Sequence, residues 1–363
     1  MKTFAGGTTA FTADLMMIRK SLWHSLSAAA LTAALMTSAA AQSDPSVERF
    51  YKGNQIKLYS SAGPGSGYSV WARFIGQHLG RHVPGEPSVV VQYMPGAGGI
   101  IAANYMYTVA PKDGREIASL AREAPSNALM GGAAIRYDPL KFNWLGTPTS
   151  ESNICIAAAN SPFQTLDDLY KHDLVVGTDG VGSGMHIFPV ALNALLKTKF
   201  KVIDGYSDSA EVLLAIDRGE IHGTCQSAET LFRARGDAIR SGRLRVVLHG
   251  GLKPNPKFSD VPFVLDLAST DEQKQALKFL YSSLTFGRPY VAPPGLPPER
   301  VAALRKAYMD MFKDKAFLVD AEKQGYEINP ISGEEMTSLI AELAKTPKHI
   351  IDQVAALIGS QKK

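Results

Sequence analysis

Cysteine is scarce, with only Cys155 and Cys225 in a chain of 363 residues. A disulfide framework is therefore not what makes this chain fold, and its length is enough to bury a substantial core without one. Both cysteines lie in apolar, strand-like contexts, where inert thiols reside. Two buried free thiols are the expected state. A bridge stays open, because the sequence does not report the Cα separation that a bridge requires. Charge of one sign is also lacking: 38 Lys and Arg stand against 34 Asp and Glu, for a formal net charge of +4. Nucleic acid selects a strongly basic face, so such partners are excluded.

Long apolar runs are missing too. The longest, Leu26–Met36, is shorter than the roughly 20 residues of a membrane span. It follows Arg19 and Lys20 and precedes Ala39-Ala40-Ala41, the order of a secretory leader with its small-residue cleavage site. Residues 1–41 are therefore expected to be a signal peptide. Their removal takes away three positive charges and one negative, which lowers the formal charge from +4 to +2. No lipobox cysteine accompanies the leader, so no lipid anchor is expected.

Catalytic signatures are equally sparse. No Gly-x-Ser-x-Gly elbow surrounds Ser66, Ser69 or Ser183. The turn Gly63-Pro64-Gly65-Ser66-Gly67 has Tyr68 where a dinucleotide fingerprint needs its third glycine, and no Gly-Lys-Ser/Thr follows as in a P-loop. His78 and His82 share a helical spacing that suits a zinc pair. No ligating carboxylate is evident beside them, and they read as surface histidines at a helix end. No cofactor, no metal and no enzymatic activity are expected.

What is present is a repeated strand, glycine turn and helix. Gln55–Tyr59 reads as a strand that ends in the turn Ser61–Gly67, with Val70, Trp71, Phe74, Ile75 and Leu79 following at helical spacing. Ser88–Gln92 is a second strand, closed by Pro95-Gly96-Ala97-Gly98-Gly99. A helix then starts near Ile100 and stops before Pro111, ahead of the strand Glu116–Leu120. The pattern returns with Leu174–Gly177, the turn Gly180-Val181-Gly182-Ser183-Gly184 and a helix through Leu196. Ala210–Asp217 reads as a helix, Ile221–Cys225 and Leu244–Leu248 as strands, Glu299–Phe312 as a helix, and 333–358 as one last helix. This is the pattern of parallel sheets with helices on their faces. Two such blocks, with glycine turns at the carboxyl ends of strands, suggest two lobes facing a cleft. Glycine turns at helix starts can aim backbone amides at an anion. His186 follows the third turn, where it can donate to a bound carboxylate or tie the turn to the sheet.

At these turns the chain resembles the periplasmic solute-binding proteins of tripartite tricarboxylate transporters, the Bug family. The segment Val89-Val90-Val91-Gln92-Tyr93-Met94-Pro95-Gly96-Ala97-Gly98-Gly99-Ile100 is the most specific match. Ala110-Pro111-Lys112-Asp113-Gly114 is similar to the family's Pro-Asp-Gly turn, and Ala72-Arg73 to its Ala-Arg. Gly177–His186, Arg218–Ile221 and Ser241–Arg245 follow in the family's order. The resemblance implies an α/β, two-lobed periplasmic binding protein fold of type II-like architecture, with its ligand cleft between the lobes. The expected division is 42–148 with 250–363 as lobe 1, and 149–249 as lobe 2.

The implied function is capture of a small organic carboxylate, a di- or tricarboxylate or an aromatic acid, for an uptake system in the periplasm. A membrane permease is the implied partner, and a monomer is expected. The rival readings are a secreted α/β hydrolase and a ligand sensor for a membrane kinase. The family holds its ligands by amides, hydroxyls and water more than by arginines. Where it commonly has an Asp in the first turn, this chain has Ser69, which tilts the expectation toward an amine-free acid. Expected contacts in the first lobe are Gly65, Ser66, Gly67 and Tyr68, with Gly98 and Gly99. Glu123, Ala124 and Ser126 follow the third strand. In the second lobe Gly182, Ser183, Gly184 and His186 are expected as donors, with Ser207, Asp208, Gln226 and Ser227 beside them.

Overall fold

A computed structural model describes residues 45–163 and 165–359; the expected leader lies outside the described residues. The first apolar run forms strand β1 (Gln55–Ser60), followed by β2 (Ser88–Tyr93), β3 (Glu116–Ser119) and β4 (Asn143–Thr147). β1 pairs in parallel with both β2 and β3, which sets Leu58 beside Val91 on one side and Ile117 on the other. The helix Gly67–Leu79 links β1 to β2 and buries Trp71, Phe74, Ile75 and Leu79 against Ile56 and Leu58. Helical recurrence of these apolar residues thus becomes one face laid on a parallel sheet.

The chain then builds a second sheet from β5 (Asn153–Ala158), β6 (Leu174–Thr178), β7 (Phe200–Asp204), β8 (Gly223–Ser227) and β9 (Leu244–Gly250), in the order β7-β6-β8-β5-β9. β5 runs antiparallel to both β8 and β9, while β6 is parallel to β7 and β8. Cys155 and Cys225 are direct partners in the β5–β8 register and form a disulfide, in place of the expected free thiols. Their separation of 70 residues hides an adjacency that the register creates.

Two short strands return to the first sheet: β10 (Tyr290–Ala292) and β11 (Ile331–Ser332) complete the order β11-β4-β10-β3-β1-β2. β10 inserts antiparallel between β3 and β4. Not all of the chain beyond 250 stays with this sheet. The helix Lys348–Gly359 packs against Gly184–Leu196 of the second lobe and against the helix Asp271–Ser282. There the Tyr281 ring stacks on Phe188 with centroids 4.5 Å apart, and Gln273 donates to the Leu195 carbonyl at 2.8 Å. The single helix expected over 333–358 is two, Gly333–Leu343 and Lys348–Gly359, with Pro347 between them. Proline has no N–H and its ring displaces the preceding turn, so the first helix ends there. Among the described residues no helix is long and apolar enough to cross a membrane.

Candidate functional site

Two serines occupy matching places in the two lobes. Each ends a glycine turn after a strand and caps the helix that follows. The Ser66 hydroxyl accepts from the Tyr68 N–H at 3.2 Å, and the Ser183 hydroxyl from the His186 N–H at 3.4 Å. Such caps satisfy donors that a helix start leaves open. Both turns line one cleft, which also receives Gly98 and Gly99 from the turn after β2. The lobes approach closely there. A Cβ on Gly98, whose φ is +61°, would run into the Gly182–Ser183 backbone, and one on Gly67 into Thr230.

The floor of the cleft is a buried ionic network. Arg122 Nε donates to Glu123 Oε1 at 3.0 Å, and its Nη1 donates to Glu151. Arg288 Nε lies 2.6 Å from the other Glu151 oxygen, while its Nη2 donates to Thr230 at 2.8 Å and Ser227 at 3.3 Å. The Glu151 side chain is 1% exposed and sits between two guanidiniums. Each arginine is therefore charge-compensated from within the protein, which is what burial of such groups demands. The Arg288 guanidinium also stacks 4.6 Å above the Tyr68 ring, and the Tyr68 hydroxyl accepts from the Arg122 N–H at 3.1 Å. Burial drives the Tyr68 phenol well above its ordinary range, with the Glu123 carboxylate pushing the same way, so it stays a neutral hydroxyl.

Of the residues expected at the site, Ser66, Gly67, Tyr68, Gly98, Gly99, Glu123, Ser183, Gly184, Ser207, Gln226 and Ser227 line this cleft together. The others stand elsewhere. Gly65 donates its N–H to Asp208 Oδ2 at 2.9 Å, so an amide read as open to a ligand meets a protein carboxylate from the other lobe. Asp208 also caps the helix Ser209–Asp217 through the N–H groups of Ala210 and Glu211. The Gly182 carbonyl accepts from Asn127 at 2.8 Å, and the Ser126 hydroxyl donates to the Glu123 carbonyl. Ala124 presents its carbonyl to the Tyr137 hydroxyl. His186 Nδ1 lies 2.8 Å from Asp204 at the end of β7, a contact that joins the helix start to the sheet.

Ser69 is fully buried, with its hydroxyl bonded to Ser60 at 2.8 Å and the Ala62 carbonyl at 3.0 Å. It lies behind the turn rather than in the cleft, so it says nothing about whether a ligand bears an amine. His78 and His82 meet Asp320 and Asp314 beside Arg81. No cluster of three or more metal-ligating groups occurs among the described residues.

Sequence reasoning missed the uncharged Ser61 and Thr230 and, above all, four charged residues: Arg122, Glu151, Asp179 and Arg288. Asp179 ends the strand-to-turn step Thr178–Gly180, and burial raises its carboxyl above the ordinary range despite donation from the Ser183 hydroxyl. Burial raises Glu123 likewise, against the pull of Arg122. Arg122 and Asp179 could have been found, since each follows a strand that feeds the cleft. Arg288 could not, because only the insertion of β10 beside β3 brings it there.

A curated relative from Cupriavidus necator, described as a UPF0065 protein in the gbd 5′ region, is 26% identical over 280 residues, covering 74% of this chain and 78% of its own. Among solved structures, the periplasmic binding protein BugD superposes with a TM-score of 0.67 at 19% identity, over 85% of this chain and 98% of its own. MatC from Rhodopseudomonas palustris, solved with bound malate, gives 0.65 at 19% identity, over 83% and 99%. These likenesses establish the fold as that of the two-lobed periplasmic binding proteins. Residues 73–356 match the family described as tripartite tricarboxylate transporter family receptor, and the chain belongs to that family of solute-binding proteins.

Proposed function

We propose that the protein captures a small organic carboxylate outside the cytoplasm and delivers it to the membrane subunits of a tripartite tricarboxylate-type transporter. The observation that carries this reading is the shared cleft: capped glycine turns from both lobes, at the ends of β1 and β6, meet over one polar floor. A solute touching both lobes stabilises the closed form, which a permease can recognise. The malate held by MatC supports a carboxylate as the ligand class. The Cys155–Cys225 disulfide supports an oxidising compartment, the periplasm.

The test is a thermal-shift and calorimetry screen of the purified protein against mono-, di- and tricarboxylates and aromatic acids. A true ligand at about 100 times its dissociation constant adds about 2.7 kcal/mol of stability. Its methyl ester is expected to bind at least about tenfold more weakly, a loss of about 1.4 kcal/mol. Equal binding of acid and ester would refute the reading.

A further inference from the structure

Three polar atoms at the cleft are buried and have no partner within the protein: the Ser61 hydroxyl, the Gln226 side-chain N–H₂ and Asp179 Oδ1. Ser61 is 3% exposed and Gln226 4%. Buried polar groups are bonded as a rule, and an unmet one costs free energy comparable to a lost hydrogen bond. The three are not chemically alike. Gln226 Nε2 is a donor and Ser61 can donate, so these two suit an acceptor such as a carboxylate. Asp179 Oδ1 is an acceptor and needs a donor.

The charges around the cleft point the same way. Arg122 and Arg288 stand with three carboxylates, Glu123, Glu151 and Asp179, and both guanidiniums are already paired. A second carboxylate would offer Asp179 Oδ1 no donor, whereas a ligand with one carboxylate and one cationic donor would.

We infer that the ligand is a small zwitterion, a carboxylate with an ammonium group on the same skeleton. Its carboxylate meets Ser61 and Gln226, and its ammonium meets Asp179. This rests on the carboxylate-receptor reading above, and it narrows that reading to amino-acid-like solutes. It also reverses the expectation of an amine-free acid, which stood on Tyr68 and on Ser69, the latter a residue outside the cleft.

Calorimetry with matched pairs tests it: L-aspartate against succinate, L-glutamate against glutarate, L-alanine against propionate, and L-phenylalanine against 3-phenylpropionate. In at least one pair the wild-type protein is expected to bind the amino member ten- to a hundredfold more tightly, as a hydrogen bond between charged groups implies. Asp179→Asn is expected to abolish that preference by weakening the amino member alone. Gln226→Leu is expected to weaken both members alike. Wild-type binding of the deaminated member as tight as its partner, across the pairs, overturns the inference even if the variants fail to fold. If acids bind without regard to the amine and their methyl esters do not, the carboxylate reading stands and only this inference falls. If no member of any pair binds, both fall.

Discussion

At the scale of single residues, Glu151 and Asp179 are two carboxylates whose ionised form burial disfavours, and they differ in the cations beside them. Glu151 is held between two guanidiniums, so its charge is met on both sides. Asp179 has one oxygen without a partner, and burial holds its carboxyl above the ordinary range. A raised folded-state value means that folding disfavours the ionised form. The cost is fully present above that raised value and vanishes below the unfolded value near 4. Asp179→Asn is therefore expected to stabilise the ligand-free protein by about 1–3 kcal/mol at pH 7. Its advantage over wild type should narrow as pH falls through the raised range. Urea unfolding of both proteins at several pH values checks this, and an advantage that grows on acidification would contradict it. A residue that costs stability until a ligand arrives is what a binding site is expected to contain.

Among the elements, the glycine turns decide how closely the lobes meet. Gly98 has φ +61° and lies against the Gly182–Ser183 backbone of the other lobe, whereas Gly53, at φ +73°, has open space around it. Both positions favour glycine for conformational reasons, so alanine at either should cost about 1–2 kcal/mol. Only Gly98→Ala should also hold the lobes apart. It is expected to enlarge the radius of gyration and to weaken ligand binding at least tenfold, with Gly53→Ala unchanged in both. Small-angle scattering with calorimetry would show it, and identical behaviour of the two variants would mean that the Gly98 turn does not govern closure. These turns were legible in the sequence because strand periodicity followed by glycine clusters marks them locally. The ionic floor was not. Arg122 and Arg288 meet Glu151 only because β10 inserts between β3 and β4, a pairing that no local pattern announces. The disulfide was hidden for the same reason, since its adjacency comes from the β5–β8 register.

For the whole molecule, the question is what holds the closed form before a ligand contributes. Direct hydrogen bonds already cross the cleft: the Gly65 N–H to Asp208 at 2.9 Å, and the Asn127 side chain to the Gly182 carbonyl at 2.8 Å. The Trp71 indole N–H reaches Glu229 at 3.2 Å, and Arg288 reaches Thr230 at 2.8 Å. None of these needs a solute, so under the proposed function they are expected to set the starting balance between open and closed forms. A ligand can shift that balance only by its differential contacts with the two. Removing cross-lobe bonds that lie away from the ionic floor should therefore open the ligand-free protein and lower apparent affinity together. Asn127→Ala deletes one donor, and Asp208→Ser deletes a carboxylate while keeping a residue that caps the following helix. At about 0.5–1.5 kcal/mol for each bond, the pair should shift the open–closed ratio by about 1–3 kcal/mol, or about 5- to 150-fold. Apparent affinity should fall by the factor by which the closed population falls, since only that population is competent. Scattering should show a larger ligand-free radius for the double variant and a wild-type radius at saturating ligand. A double variant that matches wild type without ligand would mean that the contacts across the cleft follow closure rather than drive it.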